Sequence, residues 1–338
     1  MRYIGCKKLL LENLEAVINE NVDEAEVFCD IFSGTACVSQ YFKKKYKIIS
    51  NDLMYFSYSI QKATVENNKT PEFRKLKLNP IEFFNSLTPE QLEALETDRR
   101  FCQNNYSPNG NRMYLNSGNA LRIDFIRNKT GEWKEKKLIS ESEYYYLLAV
   151  LIEAVPFVSN ISGTYGAYNK FWDKRSLKTL TLKPLTVFDN GKQNLSFNEN
   201  GNRLIERISG DILYIDPPYN TRQYSSNYHV LEQIARYDFP KLSGVTGQRE
   251  EGGEKSLYCK RATALNQLED LIKKAKFTHI LLSYNNEGLM SISDIESVLK
   301  KYAIKFKKYE IPYRRFKSRE TKRENGLCEL IFYIRKGK

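Results

Sequence analysis

The sequence predicts an α/β protein built on a doubly wound sheet. Its first part alternates strand, turn, helix and strand, and its last part alternates helices with apolar strands. A long segment of different character separates the two. The 338 residues are 41% apolar and 28% charged. This composition is typical of a globular chain that is long enough for one α/β domain and a sizeable insertion.

The first part shows the periodicity of alternating helices and strands. Residues 7–20 carry four aliphatic side chains at helical spacing and predict an amphipathic helix. Residues 27–32 predict a buried strand, residues 33–35 a turn, residues 36–45 a helix and residues 47–50 a second strand. This order opens a doubly wound sheet.

Residues 71–180 are polar, rich in Asn and aromatic residues, and weakly periodic except for one predicted helix at 143–155. We interpret them as an insertion, so that residues 1–70 and 181–338 together form the sheet domain. Residues 241–256 are Gly-rich and charged, which predicts a mobile surface loop.

Regular α/β character returns in the last third of the chain. The apolar runs predict strands at 212–215, 279–284, 304–312 and 327–335 and helices at 226–237, 263–275 and 292–302. Ser291 or Ser293 is the expected N-cap of the last helix, since acidic residues follow in its first turn.

The charge of the chain is strongly basic and uneven. The formal net charge is +12, and residues 300–338 carry fourteen Lys and Arg against four Glu. A polyanionic partner, most simply nucleic acid, is one explanation, and a solvated basic surface is the other. Arg314, Arg315 and Lys317 belong to a basic cluster between the last two predicted strands, where a hairpin loop would contact phosphates.

The Cys and His residues argue against a metal centre. None of the six cysteines has the spacing of a metal-binding knuckle, and there are only two histidines. We interpret the cysteines as reduced and structural. The sequence has no apolar stretch of membrane-spanning length and no signal-peptide core, so we expect a cytoplasmic protein without membrane segments.

The most informative motif follows the apolar run at 212–215 and reads Asp216-Pro217-Pro218-Tyr219. Proline fixes φ and lacks an N–H, so the Asp side chain and nearby carbonyls become a rigid rim of acceptors at the end of a strand. Such a rim suits a planar ligand that carries an amino group, with the Tyr ring covering its face.

A second group of residues predicts a nucleoside site on the same sheet edge. Asp30 lies in the first predicted strand, and Phe32, Ser33 and Gly34 lead from it into a helix, which allows close approach of a ligand to the backbone. Asp52 follows the second strand, where an acid can bind ribose hydroxyls. Taken singly, an ordinary strand-to-helix turn and a helix-capping Asp explain these residues equally well.

Together the motifs resemble those of the alpha-class, Dam-like DNA adenine-N6 methyltransferases of type II restriction–modification systems. The resemblance covers nearly the whole chain. It rests on Arg2 to Lys7, Phe32 to Gly34, Asp52, the insertion, Asp216 to Tyr219, Ser283 to Asn286 and Tyr313 to Phe316, in this order. It implies a Rossmann-like class I methyltransferase fold with a mixed, doubly wound, seven-stranded sheet and an inserted target-recognition domain.

The resemblance also implies a site for S-adenosylmethionine. Its expected contacts are Tyr3 and Lys7 at the methionine end, Asp30, Phe32 and Gly34 in the pocket, Asp52 on the ribose, and Asn198 to Asn200 at the adenine, with Asp216 nearby. Ala36 departs from the family, many members of which have a second glycine there. Its extra methyl group narrows the turn.

The target site follows by the same resemblance. Asp216 and the Pro217 carbonyl would accept hydrogen bonds from the amino group of a flipped adenine, Pro218 would stiffen the rim, and Tyr219 would stack on the base. Arg222 is a candidate DNA contact, or else a partner in a salt bridge. Tyr228 is a candidate neighbour of the base, or else packs under the loop.

Three alternatives remain at this stage. The same rim can serve N4 of cytosine. RNA or protein-amide methylation and a catalytically silent DNA-binding module are further alternatives. The expected partners are double-stranded DNA and a cognate restriction endonuclease. We expect a monomer or weak dimer, associated with the nucleoid and without a bound metal.

Overall fold

A computed structural model describes residues 7–95, 99–250, 255–312 and 328–337. Within these ranges seven strands form one sheet in the order β3-β2-β1-β4-β7-β9-β8, and β5 pairs with β6 in a separate hairpin. The strands are β1 (Val27–Asp30), β2 (Lys47–Asn51), β3 (Leu195–Phe197), β4 (Ser209–Ile215), β5 (Leu242–Ser243), β6 (Gln248–Arg249), β7 (Lys276–Asn285), β8 (Ala303–Pro312) and β9 (Cys328–Lys336).

Five neighbouring strands of the large sheet, from β3 to β7, are parallel, and β9 is antiparallel to both β7 and β8. The chain runs outward from β1 to β2 and β3 on one side and from β4 to β7 on the other. The strand order therefore reverses between β1 and β4. This confirms the Rossmann-like, mixed, doubly wound sheet.

Helices cover both faces of the sheet. They are α1 (Leu11–Asn21), α2 (Cys37–Phe42), α3 (Tyr55–Gln61), α4 (Pro80–Ser86), α5 (Pro89–Ala94), α6 (Phe101–Tyr106), α7 (Ser117–Glu135), α8 (Glu141–Ala154), α9 (Gly201–Leu204), α10 (Tyr224–Asn227), α11 (His229–Arg236), α12 (Arg261–Lys274) and α13 (Ile292–Tyr302). None of those in the described ranges combines the length and apolarity that crossing a bilayer requires.

Two hydrophobic cores lie on opposite faces of the sheet because side chains alternate along each strand. In β4, Ile212 and Tyr214 face the first core, whereas Leu213 and Ile215 face the second. The first core includes α1, α2 and α3 and continues into α7, α8 and α11. The second is covered by α9, α12 and α13. The inserted helices thus share a core with the sheet.

The elements predicted after residue 210 are confirmed with small shifts of their ends. α13 has the predicted bounds, and Ser291 Oγ caps it by accepting from Asp294 N at 3.1 Å. The predicted helix at 226–237 is divided into α10 and α11. The sequence did not indicate β3, which has only three residues, all partly exposed.

The one helix predicted within 71–180, at 143–155, is confirmed as α8, and four further helices, α4 to α7, lie there in the described residues without having been predicted. α7 lacks an apolar stripe because several of its buried side chains are polar and form hydrogen bonds with backbone groups at the ends of other helices. Asp124 accepts from Cys102 N at the start of α6 (2.8 Å), Arg122 donates to Phe84 O near the end of α4 (2.8 Å), and Arg127 donates to the last carbonyls of α11.

The loop predicted at 241–256 contains the β5–β6 hairpin, and the backbone carbonyls of its tip are fixed to the inserted segment. Arg112 donates to Gly244 O and Val245 O at 2.9 and 3.0 Å, and Tyr106 Oη donates to Gly247 O at 3.0 Å. These contacts anchor residues 242–249, which was not expected of a mobile loop. Residues 251–254 lie outside the described residues.

Candidate active site

A cleft opens at the carboxyl ends of β1 and β4, where the strand order reverses. In open α/β sheets this is the preferred place for a ligand. The cleft encloses about 1000 Å³, including space open to solvent. The residues predicted from the sequence that line it are Lys7, Asp30, Phe32, Ser33, Gly34, Asp52, Glu199, Asn200, Asp216 and Pro218.

The turn after β1 brings backbone close to the cleft through two residues with positive φ. Gly34 has a φ of +50°, and Ala36 has a φ of +61° as the N-cap of α2. Gly34 N donates to Asp52 Oδ2 at 2.8 Å, which joins this turn to the end of β2. Since a side chain at positive φ costs about 1 kcal/mol relative to glycine, the geometry explains why glycine suits position 36.

Asp30 is a buried acid in the wall of the cleft. Its Oδ2 accepts from Ser39 Oγ at 2.7 Å, whereas its Oδ1 has no hydrogen-bond partner within the described part of the chain. Burial, reinforced by nearby Asp216, raises the pKa of Asp30 to about 7 against the opposing effect of the Ser39 hydrogen bond. A cationic ligand group would supply the missing partner and favour the ionised form.

Asp52 lies at the opposite end of the turn, just beyond β2. Its two oxygens accept from Gly34 N and Met54 N, both at 2.8 Å. Burial raises its pKa to about 6, although both backbone hydrogen bonds act in the opposite direction. Each carboxylate oxygen has two lone pairs, so Asp52 can hold the backbone and still accept hydroxyl groups from a ligand.

Lys7 connects the Asp216 motif to the far end of the chain. Its Nζ lies 3.3 Å from Asp216 Oδ1 and 3.1 Å from Glu329 Oε2, and it is 4% exposed. Burial opposes the charged form, but Asp216, Tyr219 and Glu329 outweigh it and raise the Lys7 pKa above its usual value. The buried group therefore holds one ammonium between two carboxylates.

Aromatic rings surround the other side of the motif. The Tyr219 ring lies edge-on to the Tyr284 ring, with 6.0 Å between the two ring centroids. Lys7 Nζ lies 5.3 Å from the centroid of the Tyr219 ring. Tyr224 lines the cleft, and Tyr228 stacks behind it at 6.1 Å. Tyr228 is only 1% exposed. Its position therefore fits packing beneath the loop and does not fit the expected contact with DNA.

The chain matches the model of one protein family over residues 3–298. This family is the D12 class of N6 adenine-specific DNA methyltransferases. The chain belongs to this family. The family is specific for adenine N6, which favours adenine over the cytosine N4 alternative.

Curated relatives of this D12 class chain include bacterial modification enzymes. The type II methyltransferase M.FokI of Planomicrobium okeanokoites is 51% identical over 99% of this chain and 53% of its own length. The modification methylase StsI of Streptococcus sanguinis is 46% identical over 99% of this chain and 52% of its own length. The chain thus spans about half the length of these two relatives.

A third relative of this D12 class member has a similar length. The type II methyltransferase M.NlaIII of Neisseria lactamica is 38% identical over 98% of this chain and 97% of its own length. A chain of this extent therefore corresponds to nearly all of one type II methyltransferase.

The cleft of this D12 class structure is not lined by Asn198, Pro217, Tyr219 or Arg222. Asn198 Nδ2 donates to Asp52 O and Leu53 O at 2.8 and 3.0 Å, so it supports the backbone beside the cleft, and the next residues, 199–202, form the wall. Arg222 is exposed on the loop after the motif. Tyr3, Arg314, Arg315 and Lys317 lie outside the described residues.

Sequence reasoning missed part of the cleft in this family member. Gln223 makes two hydrogen bonds to Ser256, donating to its O at 3.0 Å and accepting from its N at 2.9 Å. This pair closes the segment at 256–258 over the cleft, and Phe32 meets Tyr258 edge-on at 5.1 Å. No local pattern marks these residues. Glu329 had a weak signal, as an acid at the start of a strand whose next five residues are apolar.

Proposed function

We propose that this chain is a site-specific DNA methyltransferase that moves a methyl group from S-adenosylmethionine to N6 of a flipped-out adenine. The observation that carries the proposal is the arrangement at the reversal point of the sheet. There, Asp30 and Asp52, which suit a cationic nucleoside, line one cleft together with Asp216 and Pro218 of the motif. A role in a type II restriction–modification system, with a cognate endonuclease and double-stranded DNA as partners, is part of the same proposal.

The cleft has the chemistry that S-adenosylmethionine requires. Asp30 Oδ1 is a buried acceptor without a hydrogen-bond partner among the described residues, which suits the amino group of the methionine moiety. Asp52 suits the ribose hydroxyls, and Phe32 provides an apolar wall. S-adenosylmethionine supplies an electrophilic methyl group on a positively charged sulfur when it is bound.

The residues of the motif would act by positioning and by electrostatics. The exocyclic amine of adenine is a poor nucleophile because its lone pair is delocalised into the ring. Asp216 and the Pro217 carbonyl would accept its two hydrogens, which favours a pyramidal nitrogen with its lone pair directed at the methyl donor. Lys7 would hold Asp216 in place, and Tyr219 would stack on the base.

We further propose that residues 71–180 form the target-recognition domain and that residues 1–70 and 181–338 form the catalytic domain. The position of α4 to α8 between β2 and β3 supports this division. The shared first core indicates that the two parts form one packed unit.

The proposed activity is tested by incubating the chain with DNA and tritiated S-adenosylmethionine and then digesting the DNA to nucleosides. We expect label in N6-methyladenine. Label found only in N4-methylcytosine would replace adenine by cytosine as the target, and absence of label with intact DNA binding would favour a silent binding module. Single-molecule sequencing of DNA from expressing cells then maps the modified site.

Affinity for S-adenosylmethionine is expected to fall in mild acid. The pKa of Asp30 is raised to about 7, so this acid becomes protonated as the pH falls through neutrality and no longer attracts a cation. One such protonation weakens binding by about tenfold between pH 8 and pH 6. Isothermal titration should show a similar loss for S-adenosylhomocysteine, which keeps the methionine amino group although it lacks the sulfonium charge. A loss confined to S-adenosylmethionine would place Asp30 near the sulfonium and contradict its assignment to the amino group.

A further inference from the structure

A loop of the inserted segment is held in place by buried amides. Residues 169–178, named here the basic loop, follow α8 without regular secondary structure. Asn160 precedes the basic loop in the chain and is fully buried. Its Nδ2 donates to Asn169 O at 3.0 Å, and its Oδ1 accepts from Asp173 N at 3.1 Å. One side chain thus fixes two points of the loop.

The end of the basic loop is anchored by α7. Asn116 Nδ2 donates to Ser176 O, and Asn119 Nδ2 donates to Lys178 O, both at 2.8 Å. Arg175 also donates to Ile161 O at 3.1 Å. With both ends fixed by polar side chains, the loop keeps its shape without burying its own apolar residues.

The basic loop presents an aromatic side chain among cations. Phe171 is 84% exposed, and Lys170, Lys174 and Lys178 are also exposed. Asp173 is the only acid between residues 169 and 183, and it lies 3.9 Å from Arg175. Exposure of a phenylalanine ring to water is unfavourable, and a partner that covers the ring would stabilise the complex by burying it. Aromatic rings flanked by Lys are suited to stacking on bases between phosphates.

The segment leading into the basic loop contacts the loop that follows the Asp216 motif. Tyr165 N donates to Asn227 O at 2.8 Å, and Tyr114 Oη donates to Tyr165 O at 2.7 Å. Asn227 ends α10, whose first residue, Tyr224, lines the cleft. The basic loop is therefore connected through one short segment to the wall of the site proposed to take the target base.

We propose that the basic loop binds the DNA duplex beside the flipped adenine, with Lys170 and Lys174 on phosphates and Phe171 against bases. This inference rests on the proposed function. The excess of positive charge matches a polyanion better than it matches an apolar protein surface. Stacking on a base does not distinguish one base from another, so Phe171 would stabilise the opened duplex beside the flipped adenine, which forms at the mapped site.

The test measures binding of the full chain to two short duplexes, with S-adenosylhomocysteine present and at several salt concentrations. One duplex contains the site mapped by sequencing and the other lacks it. Lys170→Ala/Lys174→Ala should weaken binding to both duplexes and reduce the slope of log affinity against log salt by about 2. Phe171→Ala should weaken binding to the mapped site by about tenfold, with an unchanged slope and a smaller effect on the other duplex.

Matched controls lie at the opposite edge of the sheet. Phe188→Ala changes an exposed phenylalanine next to Asn190, whose side chain binds Tyr46 O at the amino end of β2. Lys273→Ala/Lys276→Ala removes two exposed lysines at the amino end of β7. Both should bind DNA like the unmodified chain.

The possible results separate this inference from the proposed function. If the unmodified chain methylates DNA but the loop variants bind as tightly and with the same salt slope, the loop does not contact DNA and the proposed function stands. If the unmodified chain neither methylates nor binds a duplex, both are wrong. Folding is not in question, since Phe171 and both lysines are exposed and circular dichroism can verify it.

Discussion

Replacing Asp216 with alanine is expected to abolish methyl transfer while binding of S-adenosylmethionine and of DNA is largely retained. Asp216 follows the last residue of β4 and lines the cleft, where it would accept a hydrogen of the target amine. Loss of one positioned hydrogen-bonding group at a site of developing charge lowers kcat by about a thousandfold. The remaining acceptor, the Pro217 carbonyl, cannot hold both hydrogens.

Charge balance makes this variant a clean test. Without Asp216, Lys7 still lies 3.1 Å from Glu329, so the buried group becomes a one-to-one ion pair and no unpaired charge is left. We therefore expect little change in thermal stability. Asp238→Ala removes an exposed acid that pairs with Arg249 and serves as the control. Single-turnover methyl transfer at full rate by Asp216→Ala would eliminate the mechanism, whatever the binding constants.

Much of the sheet could be predicted because buried parallel strands are continuous apolar runs between turn signals. The predicted runs at 27–32 and 212–215 pair with each other in the structure. An acid that lines the cleft lies at the end of each strand, Asp30 as the last residue of β1 and Asp216 directly after β4. The meeting of Asp30, Asp52 and Asp216 follows from this topology alone, since the carboxyl ends of parallel strands share one edge.

Helices α4 to α7 could not be predicted in the same way. Asp124, Arg122 and Arg127 are buried in α7 and form hydrogen bonds with backbone groups at the ends of neighbouring helices. These polar residues interrupt the 3.6-residue apolar repeat that identifies a helix. The contact between Lys7 and Glu329 joins residues 322 positions apart and leaves no local pattern. Such long-range polar contacts depend on the completed fold.

Replacing Lys7 with methionine, which keeps the length of the side chain, is expected to slow methyl transfer at least tenfold at neutral pH. Lys7 separates Asp216 from Glu329, and both carboxylates lie within 3.3 Å of its Nζ. Without the ammonium, two like charges face each other in a buried site, so one of them takes up a proton. A protonated Asp216 is a weaker acceptor, and the acid limb of the pH–rate profile should move to higher pH.

The double variant Lys7→Met/Glu329→Gln separates this charge effect from a loss of packing. Breaking a buried ion pair on one side costs about 3–5 kcal/mol of stability, so Lys7→Met alone should lower the Tm. Removing the second carboxylate as well relieves Asp216 of the like charge of Glu329, and both the Tm and the position of the acid limb should partly recover. Lys8→Met, at an exposed neighbouring position, is the control.

A different result would assign Lys7 to the cofactor. If Lys7→Met raised the KM for S-adenosylmethionine with an unchanged acid limb, and Glu329→Gln gave no recovery, Lys7 would act on the methionine carboxylate, as the family resemblance implies. Glu310→Gln, an exposed acid one strand away, should change neither quantity. The Lys7 Nζ distances of 3.3 Å to Asp216 and 3.1 Å to Glu329 favour the pairing of Lys7 with these two carboxylates. Moving the buried ammonium away from them would leave uncompensated buried charges, which is strongly unfavourable.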